Sequence, residues 1–225
     1  MENKKIGSPV SIALTLGAIW GLSEVALGIG LQACAARMSG SLMTGLALFF
    51  ISAGWASTRR FYVPVIIVFT ACLFKLFDAV LLSTAISDGA VINPIFAFLT
   101  EGAAIILLLA LFKPGWLSRL TGRVLLGGGS ALLAVLAFPL VKFATGVPAC
   151  LFPGSAIPLS IYYAPVAIIT AMALVPAGFF VGERISSAYK RFNETVASVF
   201  ARLSFSPVIV VICLALVLFI RMFTT

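Results

Sequence analysis

Five ionisable side chains stand inside long apolar runs of this sequence, where charges are rare: Glu24, Lys75, Asp78, Glu101 and Lys142. A charge at the centre of a bilayer costs at least about 2.5–3.5 kcal/mol, so such residues usually face a watery cavity or pair with one another. Carboxylates and an ammonium group that face one cavity could hold a small polar molecule. The mixture of signs favours a zwitterionic or amide-bearing ligand over a bare anion.

Helix geometry places four of these groups at comparable depths. Glu24 lies fifteen residues, and Lys75 fourteen, after the starts of their apolar runs, which puts both about 21–22 Å along their helices. Asp78 follows on the same face as Lys75, and Glu101 lies near the middle of its run. We expect these four to share a pocket in the outer half of the membrane, whereas Lys142 lies near an interface and can snorkel.

Aromatic residues are expected to complete this pocket. Trp20 precedes Glu24 by about one turn, and Tyr162 and Tyr163 begin a later apolar run. Their rings can form apolar walls, although an interfacial aromatic belt is an alternative role for the tyrosines. The charges also have a structural interpretation that remains open, because Glu24 with Lys75, or Lys75 with Asp78, could be ion pairs that hold helices together.

The composition indicates that membrane-spanning helices position these residues. The chain has 225 residues, of which 62% are hydrophobic and 10% charged, against about 45–50% and 25% in soluble domains. A soluble enzyme, a DNA-binding module and a disordered protein are therefore excluded. The net charge of +8 is attributed to membrane-flanking loops and predicts no nucleic-acid partner.

Seven apolar runs approach the length of about 20 residues that a spanning helix needs. They are 9–33, 41–57, 61–83, 92–112, 124–145, 157–181 and 207–223. We predict an all-α integral membrane protein, a compact bundle of six or seven transmembrane helices that forms a single domain over residues 1–225. The core bundle covers 9–181, and 207–223 is an additional C-terminal span.

The segment 182–206 differs from the spans around it. Its apolar residues recur at intervals of three and four, with charged residues between them. This pattern predicts an amphipathic connector helix, which would lie at the membrane interface or against a partner.

The distribution of basic residues predicts the orientation. With a cytoplasmic N-terminus, eleven Lys and Arg residues fall on the inner side and two, Arg37 and Arg221, on the outer side. This asymmetry predicts a multi-pass protein of a bacterial-type inner (plasma) membrane with its N-terminus in the cytoplasm. Seven spans would place the C-terminus outside, whereas six would place it inside.

The sequence contains no histidine, and its four cysteines are scattered. The absence of histidine excludes His-ligated haem, histidine proton relays and Ser-His-Asp or Cys-His catalysis. No paired cysteine motif indicates a zinc site or a disulfide framework. We therefore predict a protein that is not an enzyme, with no catalytic residues, no metal site and no cofactor.

Small residues repeat every four positions in the first span, at Ala13, Gly17 and Gly21. Such a stripe allows another helix to approach closely. The partner helix could belong to the same chain or to a separate subunit.

The string Gly17-Ala18-Ile19-Trp20-Gly21-Leu22-Ser23-Glu24, with the later Asn93-Pro94 and Glu101-Gly102 and with Lys75 between them, resembles a known family. It is similar to the substrate-binding S-components of energy-coupling-factor importers over about residues 9–112. The resemblance implies a helical bundle with a vitamin-sized ligand in its outer half. It also implies that a transmembrane coupling protein docks on Ala13, Gly17 and Gly21, and that separate ATPases drive transport.

Two features depart from that family. Its members typically have six spans, whereas seven runs are present here. The metal-specific members use an N-terminal histidine, so nickel or cobalt is not expected as the substrate.

Three functions follow from these observations. The leading one is a membrane-embedded capture subunit of a vitamin-like small-molecule importer. The second is a non-catalytic anchoring subunit of a larger membrane complex, for example a respiratory one. The third is an ion-coupled carrier acting alone. Lipid and other membrane subunits are the expected surroundings.

Overall fold

The computed structural model describes residues 7–34, 39–152, 154–195 and 205–224. Within these ranges the chain is helical, apart from turns and an isolated bridge between Leu151 and Pro158. The helices are α1 (Gly7–Cys34), α2 (Ser39–Thr58), α3 (Tyr62–Leu81), α4 (Gly89–Leu111), α5 (Pro114–Leu117), α6 (Leu120–Ala137), a 3₁₀ turn (Phe138–Leu140), α7 (Val141–Thr145), α8 (Leu159–Tyr162), α9 (Ala164–Thr195) and α10 (Phe205–Thr224).

The predicted all-α membrane bundle is confirmed. Seven helical stretches among the described residues are long and apolar enough to cross a bilayer. They are Pro9–Leu27, Ser39–Thr58, Tyr62–Leu81, Gly89–Leu111, Leu120–Thr145, Ala164–Ala188 and Ser206–Thr224. Each one overlaps a run predicted from the sequence.

The fourth span begins earlier than the sequence predicts. Asp88 caps α4, since its carboxylate accepts a hydrogen bond of 2.7 Å from the backbone N–H of Ala90, as N-cap aspartates commonly do. The helix therefore starts at Gly89, and Asn93 and Pro94 lie inside it. Pro94 has no N–H, so the carbonyl of Ala90 lacks its usual donor four residues later.

The fifth span is interrupted near its end. α6 runs to Ala137, and a 3₁₀ turn over Phe138–Leu140 leads into α7. Pro139 lies in this turn. Because proline removes a backbone donor and crowds the preceding turn, it accounts for the change of helix type.

The connector predicted as a helix over 182–206 is helical over its described part, where it is the end of α9. Residues 182–195 continue α9 without a break after the membrane span. Ile185 on this continuation packs against the hydrophobic core, and Glu183 pairs with arginines of two other segments. The amphipathic pattern therefore reflects a helix that packs against the bundle on one side. Residues 196–204 lie outside the described residues.

α9 packs along α2 and α6 at unusually short distances. A Cβ at Gly178 would lie 2.5 Å from the carbonyl oxygen of Phe49, and one at Gly182 would collide with the carbonyl of Ala53. Gly127 on α6 similarly abuts the carbonyl of Ala171. Glycine at these positions lets the backbones touch. We call α2, α6 and α9 the glycine-packed frame.

α1, α3 and α10 form the other side of the bundle. α1 lies between α3 and α10, and α10 contacts mainly α1 and, to a smaller extent, α3. Within α10, Cys213 and Val217 join a small cluster with Ala18, Val25 and Phe74. α10 is the most peripheral span of the described bundle, since only 11% of its apolar stretch is buried.

Candidate binding cavity

A cavity of about 420 Å³ opens at one end of the bundle, which we call the cavity end. There α2 and α4 begin, and α1, α3 and α10 approach their C-termini. Pockets that bind small molecules commonly measure about 300–1,000 Å³. Apolar side chains form much of the wall, including Val25, Met43, Phe98, Val135 and Phe138.

Three of the four charged residues predicted to share a pocket line this cavity: Glu24, Lys75 and Glu101. Their convergence follows from the packing of α1 on α3. A Cβ at Gly21 would collide with Phe74, so the two helices touch one turn below Glu24 and immediately before Lys75. This contact sets the carboxylate and the ammonium group at the same level.

Asp78, the fourth predicted residue, lies behind the wall. Its side chain is 1% exposed, and both its oxygens accept hydrogen bonds from Arg221, from Nε at 2.6 Å and from Nη2 at 2.9 Å. The Lys75 Nζ lies 3.7 Å from Asp78 Oδ2. Asp78 therefore contributes to the site by holding Arg221, which does line the cavity.

Arg221 is a site residue that the sequence interpretation missed, because it was counted as an outer topology signal. Its position one turn before the end of an apolar run is also that of an ordinary interfacial arginine. The contact between Arg221 and Asp78 becomes visible only in the structure, where α10 packs against α3.

Three buried polar atoms of the lining have no hydrogen-bond partner among the described residues. They are Glu24 Oε2, Asn93 Oδ1 and Ser160 Oγ. Buried polar atoms are rarely left unpaired, and each exception needs an explanation. All three belong to residues that line one cavity, which singles this cavity out as the candidate binding site.

Asn93 lies inside α4 and does not cap it. Asp88 caps the helix, and Asn93 instead lies one turn inside α4, where it lines the cavity. Pro94 and Ala90 line the cavity as well. Near the start of α4 the lining thus includes the amide side chain of Asn93 and the residue Ala90. The carbonyl of Ala90 lacks its usual helical donor, because Pro94 has no N–H.

Glu101 lies deeper, in the middle of α4. It is 4% exposed, and the hydroxyl of Thr44 on α2 lies beside its carboxylate. Thr44 also donates to the carbonyl of Gly40 at 3.1 Å. The two helices therefore bring a carboxylate and a hydroxyl together at the cavity wall.

The aromatic residues predicted as walls lie elsewhere. Trp20 is 1% exposed and packs on Phe98 with ring centroids 4.8 Å apart, so it supports the wall from behind. Tyr162 stacks on Phe152 at 3.9 Å, and Tyr163 lies edge-on to Tyr162. Phe98 and Phe138 are the rings that line the cavity. Periodicity alone could not distinguish these lining phenylalanines from core ones.

The small-residue stripe of α1 is occupied within the chain. Ala13 is fully buried, Gly17 lies against Thr70 and Ile67, and Gly21 lies against Phe74. α3 thus covers the stripe that was expected to dock a coupling protein. Lys142 is exposed on α7, in agreement with the interfacial position expected for it.

The opposite end of the bundle carries a second charged cluster, and we call it the basic end. Arg123 Nη2 lies 2.6 Å from Glu183 Oε1, and Arg59 Nη2 lies 3.5 Å from the same oxygen. The guanidinium groups of Arg59 and Arg123 lie over the rings of Trp55 and Phe179, at 4.6 and 4.7 Å. Burial lowers the pKa of Arg59 from its ordinary value, and the Glu183 carboxylate opposes this change.

Comparison with known proteins returns no match among family models, curated proteins or solved structures. The function of the chain is therefore inferred from its cavity and its charge distribution. Among the described residues, no group of three or more His, Cys, Asp or Glu side chains could hold a metal ion.

Proposed function

We propose that this chain is the membrane-embedded capture subunit of a small-molecule importer, and that it binds its substrate in the cavity lined by α1, α2, α3, α4, α6 and α10. The substrate would be of vitamin or vitamin-precursor size. The observation that carries the proposal is the set of unpartnered polar atoms on Glu24, Asn93 and Ser160, all at one cavity. A purely structural arrangement usually pairs such atoms, and the two other unpartnered buried atoms among the described residues, Trp55 Nε1 and Ser130 Oγ, do not line the cavity.

The charge distribution supports an orientation. Arg59, Arg60, Lys113, Arg119 and Arg123 lie around the basic end, in or next to the connections α2–α3 and α4–α6. Short loops rich in Lys and Arg remain on the cytoplasmic side. We therefore place the basic end and the N-terminus in the cytoplasm of a bacterial-type cell, with the cavity open to the outside.

Energy for transport would come from separate subunits, as the resemblance implies. These would be a transmembrane coupling protein and ATPases. Because α3 covers Gly17 and Gly21 and Ala13 is fully buried, a coupling protein would have to dock on another surface of the bundle or displace α3.

One observation favours the alternative of a non-catalytic anchoring subunit. The pair between Asp78 and Arg221 joins two spans and satisfies both carboxylate oxygens, as a structural ion pair would. This alternative explains Asp78 but leaves the unpartnered Glu24, Asn93 and Ser160 unexplained.

The proposal is tested by purifying the full chain in mild detergent and identifying co-purifying proteins and small molecules by mass spectrometry. A small molecule that is retained by the wild type and lost from Glu24→Gln supports capture. Asp88→Asn is the matched control, because it removes a carboxylate outside the cavity while keeping a good helix cap. Co-purification of a large membrane complex without any small molecule would favour the anchoring role and overturn the proposal.

A further inference from the structure

The charged side chains that line the cavity differ in whether they are paired. Arg221 is neutralised by its two hydrogen bonds to Asp78. The remaining lining charges are two carboxylates, Glu24 and Glu101, and one ammonium group, Lys75. Among the described lining residues, these two carboxyl groups outnumber the one ammonium group, in surroundings where water screens charges poorly.

The two cations are also poorly placed to bind an anion. The guanidinium of Arg221 directs Nε and Nη2 at Asp78, and Lys75 lies 3.7 Å from the same carboxylate. An anionic ligand would have to compete with Asp78 for both of them. Glu24 is different, since its Oε2 is buried without a partner among the described residues.

Two of the three unpartnered polar atoms at the cavity, Glu24 Oε2 and Asn93 Oδ1, are acceptors, and the third, the Ser160 hydroxyl, can also accept. An ionised carboxylate accepts hydrogen bonds and donates none. The Glu24 carboxylate is joined by the unpartnered Oδ1 of Asn93 and by the carbonyl of Ala90, from which Pro94 removes the helical donor. A ligand that satisfies these groups must present several N–H or O–H donors.

The apolar part of the wall favours a flat ligand. Phe98 and Phe138 line the cavity, and Trp20 backs Phe98 at 4.8 Å. Aromatic faces attract cations as well as other rings. At about 30 Å³ per water molecule, the cavity has room for about fourteen waters, which limits the ligand to a small molecule.

From these four features we infer that the cavity selects a small, flat organic cation whose positive charge lies on N–H donors, as in an amidinium, a guanidinium or a protonated amino-heterocycle. Glu24 binds the cationic N–H groups, Asn93 accepts a further hydrogen bond, and Phe98 packs against the flat part. This inference rests on the proposed function, because it names the class of molecule that the capture site would take.

Three nearly isosteric probes test the charge preference directly. Benzamidine is a cation at neutral pH, benzamide is neutral and benzoate is an anion. The full-length protein in lipid nanodiscs is titrated with each probe, and binding is followed by the shift of the thermal midpoint and by saturation-transfer NMR. We expect benzamidine to bind most tightly and benzoate most weakly.

Variants then locate the interaction. Glu24→Gln is expected to weaken benzamidine binding by about tenfold or more, with little effect on benzamide. Asp88→Asn, which also removes one carboxylate, is expected to leave both affinities unchanged. The thermal midpoints of the unliganded variants show whether each one is folded.

The outcomes separate the two proposals. Tighter binding of benzoate or benzamide than of benzamidine would overturn the cation preference while leaving a capture site in place. Equal loss of benzamidine binding in Glu24→Gln and Asp88→Asn would overturn the role of Glu24. If none of the three probes binds, the inference fails, and the proposed function is then judged by the co-purification experiment alone.

Discussion

Arg221 and Asp78 are 143 residues apart in the sequence, and two hydrogen bonds of 2.6 and 2.9 Å join them inside the bundle. The pair links the most peripheral span, α10, to α3, and it holds the arginine at the cavity wall. The carboxylate is 1% exposed. One ion pair therefore affects both the attachment of a helix and the electrostatics of the cavity.

Arg221→Met should destabilise the protein strongly. It leaves Asp78 buried with Lys75 as its remaining ion-pair partner among the described residues, and breaking a buried pair on one side costs about 3–5 kcal/mol. The double variant Arg221→Met/Asp78→Asn should recover part of this loss. Thermal unfolding in detergent measures both effects, with Arg60→Met, an exposed arginine, as the control. Equal midpoints for Arg221→Met and Arg60→Met would show that the pair contributes nothing.

Gly178→Ala should disturb the glycine-packed frame. The added methyl would lie 2.5 Å from the carbonyl oxygen of Phe49, so α2 and α9 must separate, at a cost of about 1–3 kcal/mol. Gly115→Ala adds the same methyl where nothing lies within 4 Å. A lower thermal midpoint for the first variant and an unchanged one for the second are expected. Similar midpoints would contradict the close packing.

The two arginines at the basic end should differ in their importance. Arg123 has the shorter contact with Glu183, at 2.6 Å, and is 16% exposed, whereas Arg59 lies at 3.5 Å and is 52% exposed. Arg123 also donates to the carbonyl of Leu117 at 2.8 Å. Arg123→Met should cost about 1–3 kcal/mol and Arg59→Met at most about 1 kcal/mol. Unfolding free energies measure the difference, and a larger loss for Arg59→Met would reverse the assignment.

Labelling of Cys150 should report both the orientation of the protein in the membrane and the occupancy of the cavity. Cys150 is an exposed thiol that lines the cavity, whereas Cys72 and Cys213 are buried. With Cys34 replaced by Ser, a membrane-impermeant maleimide should label Cys150 in intact cells. In purified protein, the substrate or benzamidine should slow this labelling.

A cysteine at the other end provides the matching control. Lys113→Cys, in a chain that also carries Cys34→Ser and Cys150→Ser, places a thiol at an exposed position of the basic end. It should react only after the cells are permeabilised. The reverse pattern, with Lys113→Cys labelled from outside and Cys150 protected, would invert the proposed topology.

Two substitutions at the start of α4 should have different effects, one on stability and the other on ligand binding. Asp88→Ala removes the cap that accepts a bond of 2.7 Å from Ala90 N–H and should cost about 1 kcal/mol of stability. Asn93→Ala removes an amide whose buried oxygen has no partner among the described residues and should leave stability nearly unchanged while weakening ligand binding. Thermal midpoints and ligand titrations distinguish the two. A large loss of stability in Asn93→Ala would indicate a structural role instead.

The number of spans and the level of the buried charges could be predicted from the sequence. Continuous apolar runs define the helices, and the fixed rise per residue places Glu24 and Lys75 at one depth. Contacts between distant segments could not be predicted in this way. Arg221 was assigned to topology because nothing local shows that α10 packs beside Asp78, and Tyr162 was expected at the cavity because its rotation about the helix was unknown.

The small-residue motifs also show that contacts between distant segments could not be predicted from the sequence. Ala13, Gly17 and Gly21 were recognised, but the sequence left open whether their partner was α3 or another protein. Gly178 and Gly182, also four residues apart, were overlooked although they make the closest contacts with α2. Their spacing was the available signal. The start of α4 at Gly89, ahead of Asn93 and Pro94, could be predicted only by recognising Asp88 as the helix cap.

The glycine-packed frame has a consequence for how this protein can evolve. Contacts between α2, α6 and α9 at Gly127, Gly178 and Gly182 depend on backbone atoms and leave almost no room for new side chains. Few of the cavity-lining side chains take part in those contacts, so residues such as Glu24 and Asn93 can be exchanged without moving the helices that support them. A few substitutions at the cavity opening could therefore give a related protein a different ligand preference, while the packing of its helices is conserved.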